Sequence, residues 1–454
     1  MKRITLSLVL ALLFSLCFAI NASAAEYTAT VDGVKNTNIA TNKSYKAKTD
    51  LKAGSKVEII SEQNIASFYI VWYKVPGNWT VNDTKTIDTG FLHEYVELET
   101  PTKSFTITSN DAAGICFIKA FAEGETIPDD IQRWNAPQEK TDVMVFSAHA
   151  DDESLFLGGA IVDIIANHPD ANVQLVYMTN HIATECFREH ERLDALWTLG
   201  IRNYPIVGEA PDAYSMDSLE AGLKVTDYDK VLASFLDLIV NMKPQVVITQ
   251  DFKGEYGHGQ HMVMAKAVAE AVEKCAADGT HDVAKTYIHL YKDSGAMELD
   301  LRQPLDAYGG MTALDVAKEA YKKHVSQQWC WFYVSDDYKY SCDEFGLYRT
   351  TVGADTGKDM LENIKTYKVQ DEEEAARLAE EAARQAELDA QEPASKDTRR
   401  PTTGLSSTQI IILSSITGLF VLILFLVIAK KKNKKTKYVP KHSAKDRGQT
   451  IVKK

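Results

Sequence analysis

From about residue 139 the chain predicts an α/β fold, a parallel sheet with helices on both faces, and two observations carry that expectation. Apolar runs at Val143 to Phe146, Val173 to Met178 and Val246 to Thr249 have the length and composition of buried strands. They alternate with amphipathic stretches at Leu155 to Ala166, Glu185 to Leu199, Tyr228 to Met242 and Val263 to Lys274, whose apolar positions recur at the helical period. Strands that alternate with helices in this way pair in parallel and are covered on both faces. The expected domain spans 139–368 and closes after the run Phe345 to Gly353.

Residues 25–138 have a different texture and predict a small all-β sandwich. Short apolar or alternating stretches, at Lys56 to Ile60, Ser67 to Tyr73, Ser104 to Thr108 and Cys116 to Phe121, are punctuated by turn-rich pieces such as Pro76-Gly77-Asn78 and Ser109-Asn110-Asp111. Trp72, Tyr73, Trp79, Phe91 and Tyr95 offer either core packing or a carbohydrate-binding face. Residues 369–407 read as a solvated helical stalk, rich in Ala, Glu and Arg with little to bury, followed by a loose linker containing Pro393 and Pro401.

Both ends carry membrane-targeting signatures. Lys2, Arg3, an apolar run and Ala22-Ser23-Ala24 predict a signal peptide over 1–24. The 20 residues Ile410 to Ala429 hold no charge, enough to cross ~30 Å of hydrocarbon, so 408–429 is expected to be a transmembrane helix. The lysines that follow make 430–454 a basic cytoplasmic tail by the positive-inside rule. The implied localisation is a single-pass cell-membrane protein with its N-terminal ectodomain outside. The net charge of -13 hides this basic tail, and an ectodomain more acidic still argues against nucleic acid as a partner. Five cysteines follow the signal. They are too scattered for a disulfide scaffold, with Cys330 and Cys342 the pair suited to a local bridge.

Chemistry concentrates at two strand ends. Ala148-His149-Ala150-Asp151-Asp152-Glu153 follows the first strand of the α/β region, and Gly254-Glu255-Tyr256-Gly257-His258-Gly259-Gln260-His261 follows the third. The crevice outside such strand ends is where open α/β sheets bind ligands. His149, Asp152 and His261 offer nitrogen, oxygen and nitrogen to a divalent metal, and three protein ligands leave a position open for water, as catalytic zinc requires. Asp151 stands beside them as a general base. His258, if protonated, would face the charge of a tetrahedral intermediate. Asn167-His168-Pro169-Asp170 repeats the residue types but falls at a helix end and reads as a turn.

On these motifs the region resembles the N-acetylglucosaminylphosphatidylinositol de-N-acetylase family of zinc-dependent sugar deacetylases, also called PIG-L or LmbE-like. Its patterns are Ala-His-Pro-Asp-Asp-Glu and a later Gly-His-x-x-His, and Arg188 with Glu191 is similar to its Arg-x-x-Glu helix. The resemblance implies a Rossmann-like sheet, zinc or another divalent metal on His149, Asp152 and His261, and Asp151 as base and later acid. It further implies oxyanion stabilisation by His258 and Tyr256, and substrate contact by Arg188. Ala150 replaces the usual proline, and Gly259-Gln260 stand where Pro-Asp is common, which bears on loop rigidity and on charge near the metal.

Glu153 is either a helix-terminal carboxylate or catalytic support. His181 is expected outside the metal site, His190 to be a surface or packing residue, and Trp329, Trp331 and Phe332 to pack, with sugar stacking as the alternative. The expectation is an extracellular, membrane-tethered hydrolase that removes the N-acetyl group from an N-acetylglucosamine-type amino sugar in a cell-envelope or environmental glycan. The rivals are a metal hydrolase of another amide, from an acylated amino acid or a peptide, and a non-catalytic surface glycan-binding protein.

Overall fold

A computed structural model describes residues 24–293 and 295–391. The expected transmembrane helix, the basic tail, the end of the linker and all but the last residue of the signal peptide lie outside those residues. Among the described residues no helix is long and apolar enough to cross a membrane. Residues up to Lys368 form one compact unit, and those from Val369 fall in a second.

The N-terminal strands are β1 (Thr28–Val31), β2 (Val34–Lys35), β3 (Thr49–Leu51), β4 (Lys56–Lys74), β5 (Trp79–Val81), β6 (Lys85–Ile87), β7 (His93–Ser109) and β8 (Ala113–Ala122), with a single helical turn, α1 (Asn38–Thr41). All eight are joined in one antiparallel sheet. The long strand β4 makes this possible: its first part pairs with β1 and β7, its second with β7 and β8, and the register shifts between Ile60 and Ile65. A bend there lets one strand serve both parts of the sheet, and Phe68 stacks on Phe105 at 4.6 Å in the apolar core between them. Trp72, Trp79 and Phe91 are buried and pack, while Tyr73 and Tyr95 are half-buried.

The second sheet contains β9 (Val143–Ser147), β10 (Val173–Asn180), β11 (Ile206–Pro211), β12 (Val246–Thr249), β13 (Lys285–His289), β14 (Ala296–Glu298) and β15 (Glu344–Thr350), in the order β11-β10-β9-β12-β13-β15-β14. The first five are parallel, and β15 and β14 are added antiparallel at one edge. Strand β9 is buried at every position. Val143 and Val145 enter one apolar core, Met144 and Phe146 the other, which is the alternation a strand covered on both faces needs. The helices are α2 (Asp152–Leu155), α3 (Gly158–Asn167), α4 (Phe187–Leu199), α5 (Leu219–Val225), α6 (Tyr228–Met242), α7 (Gly259–Ala277), α8 (Ala313–Tyr321) and α9 (Tyr367–Gln391). Helices α3, α4 and α8 cover the first face, and α6 and α7 the second.

The stretch Leu155 to Ala166, expected as one helix, divides into α2 and α3. The chain is wedged at the break, where a Cβ on Gly159 would meet the Cys342 carbonyl oxygen at 2.9 Å. Cys330 and Cys342 do not bridge. Both thiols are free, and Cys342 is buried in the α/β core. Asn167 to Asp170 forms the expected helix-end turn, with His168 Nε2 2.8 Å from Asp359 Oδ1. The described part of the stalk is helical and solvent-exposed, with Arg377 bridging Glu374 and Glu381 along its surface.

The two sheets meet through buried polar groups. His93 Nε2 lies 2.8 Å from His190 Nδ1, and His93 Nδ1 is 2.8 Å from the Tyr69 hydroxyl and 2.7 Å from Gln132 Oε1. Tyr45 and Gln132 donate to the two oxygens of Asp194, at 2.7 and 2.6 Å. His190, on α4, is therefore a packing residue of this seam, stacked on Tyr45 at 4.5 Å.

Candidate metal centre and active site

Strand order reverses between β9 and β12, and the crevice at such a switch point lies outside the carboxyl ends of both strands. His149 follows β9 and His261 stands in the first turn of α7, after β12. The loop between β12 and α7 reverses at Gly254 (φ 70°), where a Cβ would come within 2.3 Å of the His258 carbonyl oxygen, so only glycine fits.

This folding draws three ligand atoms together. His149 Nδ1 lies 3.1 Å from Asp152 Oδ2 and 3.1 Å from His261 Nε2, and His261 Nε2 is 3.2 Å from Asp152 Oδ2. Ligand atoms ~2.1 Å from one tetrahedral ion stand ~3.3 Å apart, so the spacing fits a zinc-sized cation. A second grouping, His149, His258 and His261, has nitrogens within 4.8 Å of one another. The grouping with Asp152 is tighter and supplies the negative charge a buried dication needs. His258 Nδ1 is already engaged, accepting the Gln260 main-chain N–H at 3.3 Å as the cap of α7.

Second partners orient each ligand. His261 Nδ1 is 2.6 Å from Glu255 Oε2, and Glu255 Oε1 is 2.9 Å from His289 Nδ1. His149 Nε2 lies 3.0 Å from the neutral amide oxygen Oε1 of Gln260, with Asp212 Oδ1 farther off at 3.7 Å. Gln260 is fixed in turn by the carbonyl of Pro211, the Thr226 hydroxyl and the Ala213 N–H. Burial works against the ionised Asp152, yet His261 and His149 hold it well below the usual carboxylate range. Burial also opposes charge on His261, but Asp152 and Glu255 push it up to about 10. These carboxylates draw positive charge inward, protons or a metal, and a metal would displace the protons.

Asp151 caps α2 at φ 127°, a conformation rare for a residue with a side chain. Glu153 holds it there: Glu153 Oε2 accepts the Asp151 N–H at 2.9 Å, and Glu153 Oε1 is 2.6 Å from His324 Nε2. Burial, followed by the Asp152 charge, pushes Asp151 up to about 6 against the pull of Arg188. Burial, with His149 and His261, pushes His258 down to about 2, which favours the neutral ring. Tyr256 packs beside it, ring centroids 5.7 Å apart.

Arg188 is buried, donating to Asp212 Oδ2 at 2.7 Å and to the Ala150 carbonyl at 2.7 Å, with its Nη2 3.8 Å from Asp151 Oδ2. It clamps the loop that lacks the proline. His181 lies outside the ligand cluster, between Glu189 and Asp212. Sequence reasoning passed over Asp212, Glu255, His289 and His324. Glu255 adjoined the motif and Asp212 follows a strand end, but nothing near His324 in the chain signalled its contact with Glu153.

Residues 144–272 match the family model PIG-L, GlcNAc-PI de-N-acetylase. Among curated proteins the chain is similar to 1D-myo-inositol 2-acetamido-2-deoxy-alpha-D-glucopyranoside deacetylases. That of Kineococcus radiotolerans is 24% identical over 198 residues, 35% of this chain and 53% of that one. That of Rhodococcus opacus is 29% identical over 182 residues, 32% and 60% of the two chains. The chain thus spans little more than half the length of these relatives. Among solved structures, N,N'-diacetylchitobiose deacetylase from Pyrococcus horikoshii matches at 15% identity over 41% of this chain and 70% of that one, with a TM-score of 0.31.

Proposed function

We propose, from the premise that residues 144–272 carry a PIG-L domain, that this protein hydrolyses the N-acetyl group of an N-acetylglucosamine-type amino sugar with the help of a divalent metal, zinc in the first instance. The observation that carries the reading is the convergence of His149 Nδ1, Asp152 Oδ2 and His261 Nε2 to within 3.2 Å of one another, beside Asp151. When bound there, the metal supplies Lewis acidity, polarising the acyl oxygen and bringing the pKa of water towards ~7.

The chain's own groups do the rest. Asp151 accepts a proton from the attacking water, and its raised affinity for that proton, toward about 6, suits a group that must also give it back. The proton passes to the departing amine, leaving acetate and a free amino sugar. His258, neutral with Nδ1 occupied, carries its proton on Nε2 and donates to the developing oxyanion, with Tyr256 beside it. Arg188 holds the Ala150 carbonyl and Asp212, keeping the base and the ligands in register; contact with substrate is the further role that the family resemblance implies for it. The expected signal peptide, span and basic tail favour a site held outside the cell on a membrane anchor, acting on an envelope or environmental glycan.

The test measures metal content and acetate release for the full chain, Asp151→Asn and His261→Ala, with N-acetylglucosamine oligomers and an acetylated amino acid as substrates. Acetate should come from the sugar alone. His261→Ala should lose both metal and activity. Equal metal and equal activity in all three proteins would overturn the assignment.

A further inference from the structure

Gln328 to Tyr340, between α8 and β15, carries large rings that the fold leaves in water: Trp329 is 82% exposed, Trp331 62% and Tyr333 51%. Three such rings on one short segment are more exposed apolar surface than a single scattered residue, the kind of surface that marks a binding site. They connect to the candidate metal centre. Trp331 packs on Phe332 with centroids 4.1 Å apart, Phe332 on Tyr256 at 4.3 Å, and Tyr256 lies 5.5 Å from His261. Tyr340 joins the same cluster, 6.3 Å from both Trp331 and Tyr256. One aromatic surface therefore runs from the buried ligands to open indole.

We propose that this surface is a sugar-stacking platform, and that the substrate is an oligosaccharide with one unit at the metal centre and further pyranose rings on Trp331 and Trp329. The identity of the unit at the metal rests on the deacetylase reading above. A pyranose has an apolar C–H face and a polar rim, which suits a flat indole that leaves the rim in water. A lipid surface is the poorer occupant. Asp336 is paired with Arg302, and the exposed Asp337 is offset by the exposed Lys339, so the segment offers no basic cluster to draw anionic headgroups.

The experiment uses the full chain, Trp331→Phe and a Trp329→Ala/Trp331→Ala double variant. Because both indoles are exposed, the variants should melt as the parent does. A tetramer of N-acetylglucosamine is titrated against tryptophan fluorescence, and acetate release is followed from tetramer and monosaccharide. The double variant should lose about tenfold more kcat/KM on tetramer than on monosaccharide, the effect of two ring contacts, with tetramer affinity falling in step and Trp331→Phe largely restoring it. Equal losses on both substrates, or unchanged tetramer affinity, overturn the platform. Tetramer binding that depends on the tryptophans without any acetate release upholds the platform while removing the deacetylase reading. Loss of binding to phosphatidylglycerol vesicles with tetramer binding intact overturns it in favour of a membrane contact.

Discussion

Two of the buried pairs of neighbouring histidines met different fates, and burial alone did not decide what they became. At the candidate metal centre His149 and His261 face Asp152, with Glu255 behind, and His261 is pushed up to about 10 although burial opposes it. At the seam between the sheets His93 and His190 face each other, and burial pushes His93 down to about 3. The seam's carboxylate, Asp194, is spent on Tyr45 and Gln132, and burial raises it to about 6. A carboxylate among the ring's partners favours positive charge, a proton or a metal, on a buried histidine, whereas a ring met only by neutral groups packs as a neutral imidazole with a polar edge.

The largest effect should come from the base beside the first pair. Asp151→Asn should keep its metal while acetate release falls by ~10² to 10⁴-fold, the usual worth of general acid-base work; loss of metal as well would make Asp151 part of the ligand set. Next, Glu255→Gln leaves a hydrogen-bond acceptor but removes the charge behind His261. Metal affinity should weaken by ~10 to 100-fold by competition against a chelator, while the same titration of His93→Gln stays at the parent value.

The seam should answer to pH instead of to metal. A depressed histidine contributes its stability above the unfolded pKa near 6.5 and loses it as pH falls from there towards about 3. Tyr69, Gln132, Tyr45, Asp194 and Arg192 surround the pair, and Asp194, shifted upward, acts in the opposite sense. Comparison with His93→Gln isolates the histidine: the parent's advantage in denaturant melts should shrink by about 2 kcal/mol between pH 6.5 and pH 5. An advantage that does not change with pH would mean that His93 titrates in the fold as it does unfolded. The smallest effect is Tyr45→Phe, which removes one donor to Asp194 and should cost about 1 kcal/mol with metal content unaltered.

The site was legible where its chemistry is local in the chain. His149, Asp151 and Asp152 follow one strand, and His258 and His261 another, so spacing marked them, while Tyr256 came only with the family resemblance. Strand β12 and helix α6 also coincide with the expected runs, because both end at sharp changes of pattern. Strands β13, β14 and β15 were not anticipated. β14 is three residues long and mostly exposed, and β15 interleaves glycine and polar residues that only its pairing with β13 makes a strand. The sheet's antiparallel edge was hidden for the same reason.

Residue order by itself determined an α/β region with two reactive strand ends, because hydrophobic period and motif spacing are properties of neighbours. Tertiary structure decided which histidine became which. Glu255 with His289, Gln260 with His149, His324 with Glu153 and His93 with His190 are partners brought together across the fold, the last three from positions far apart in the chain. A side chain's charge in a low-dielectric interior is set by whatever group lies within a few ångströms, and that distance exists only after the chain has folded.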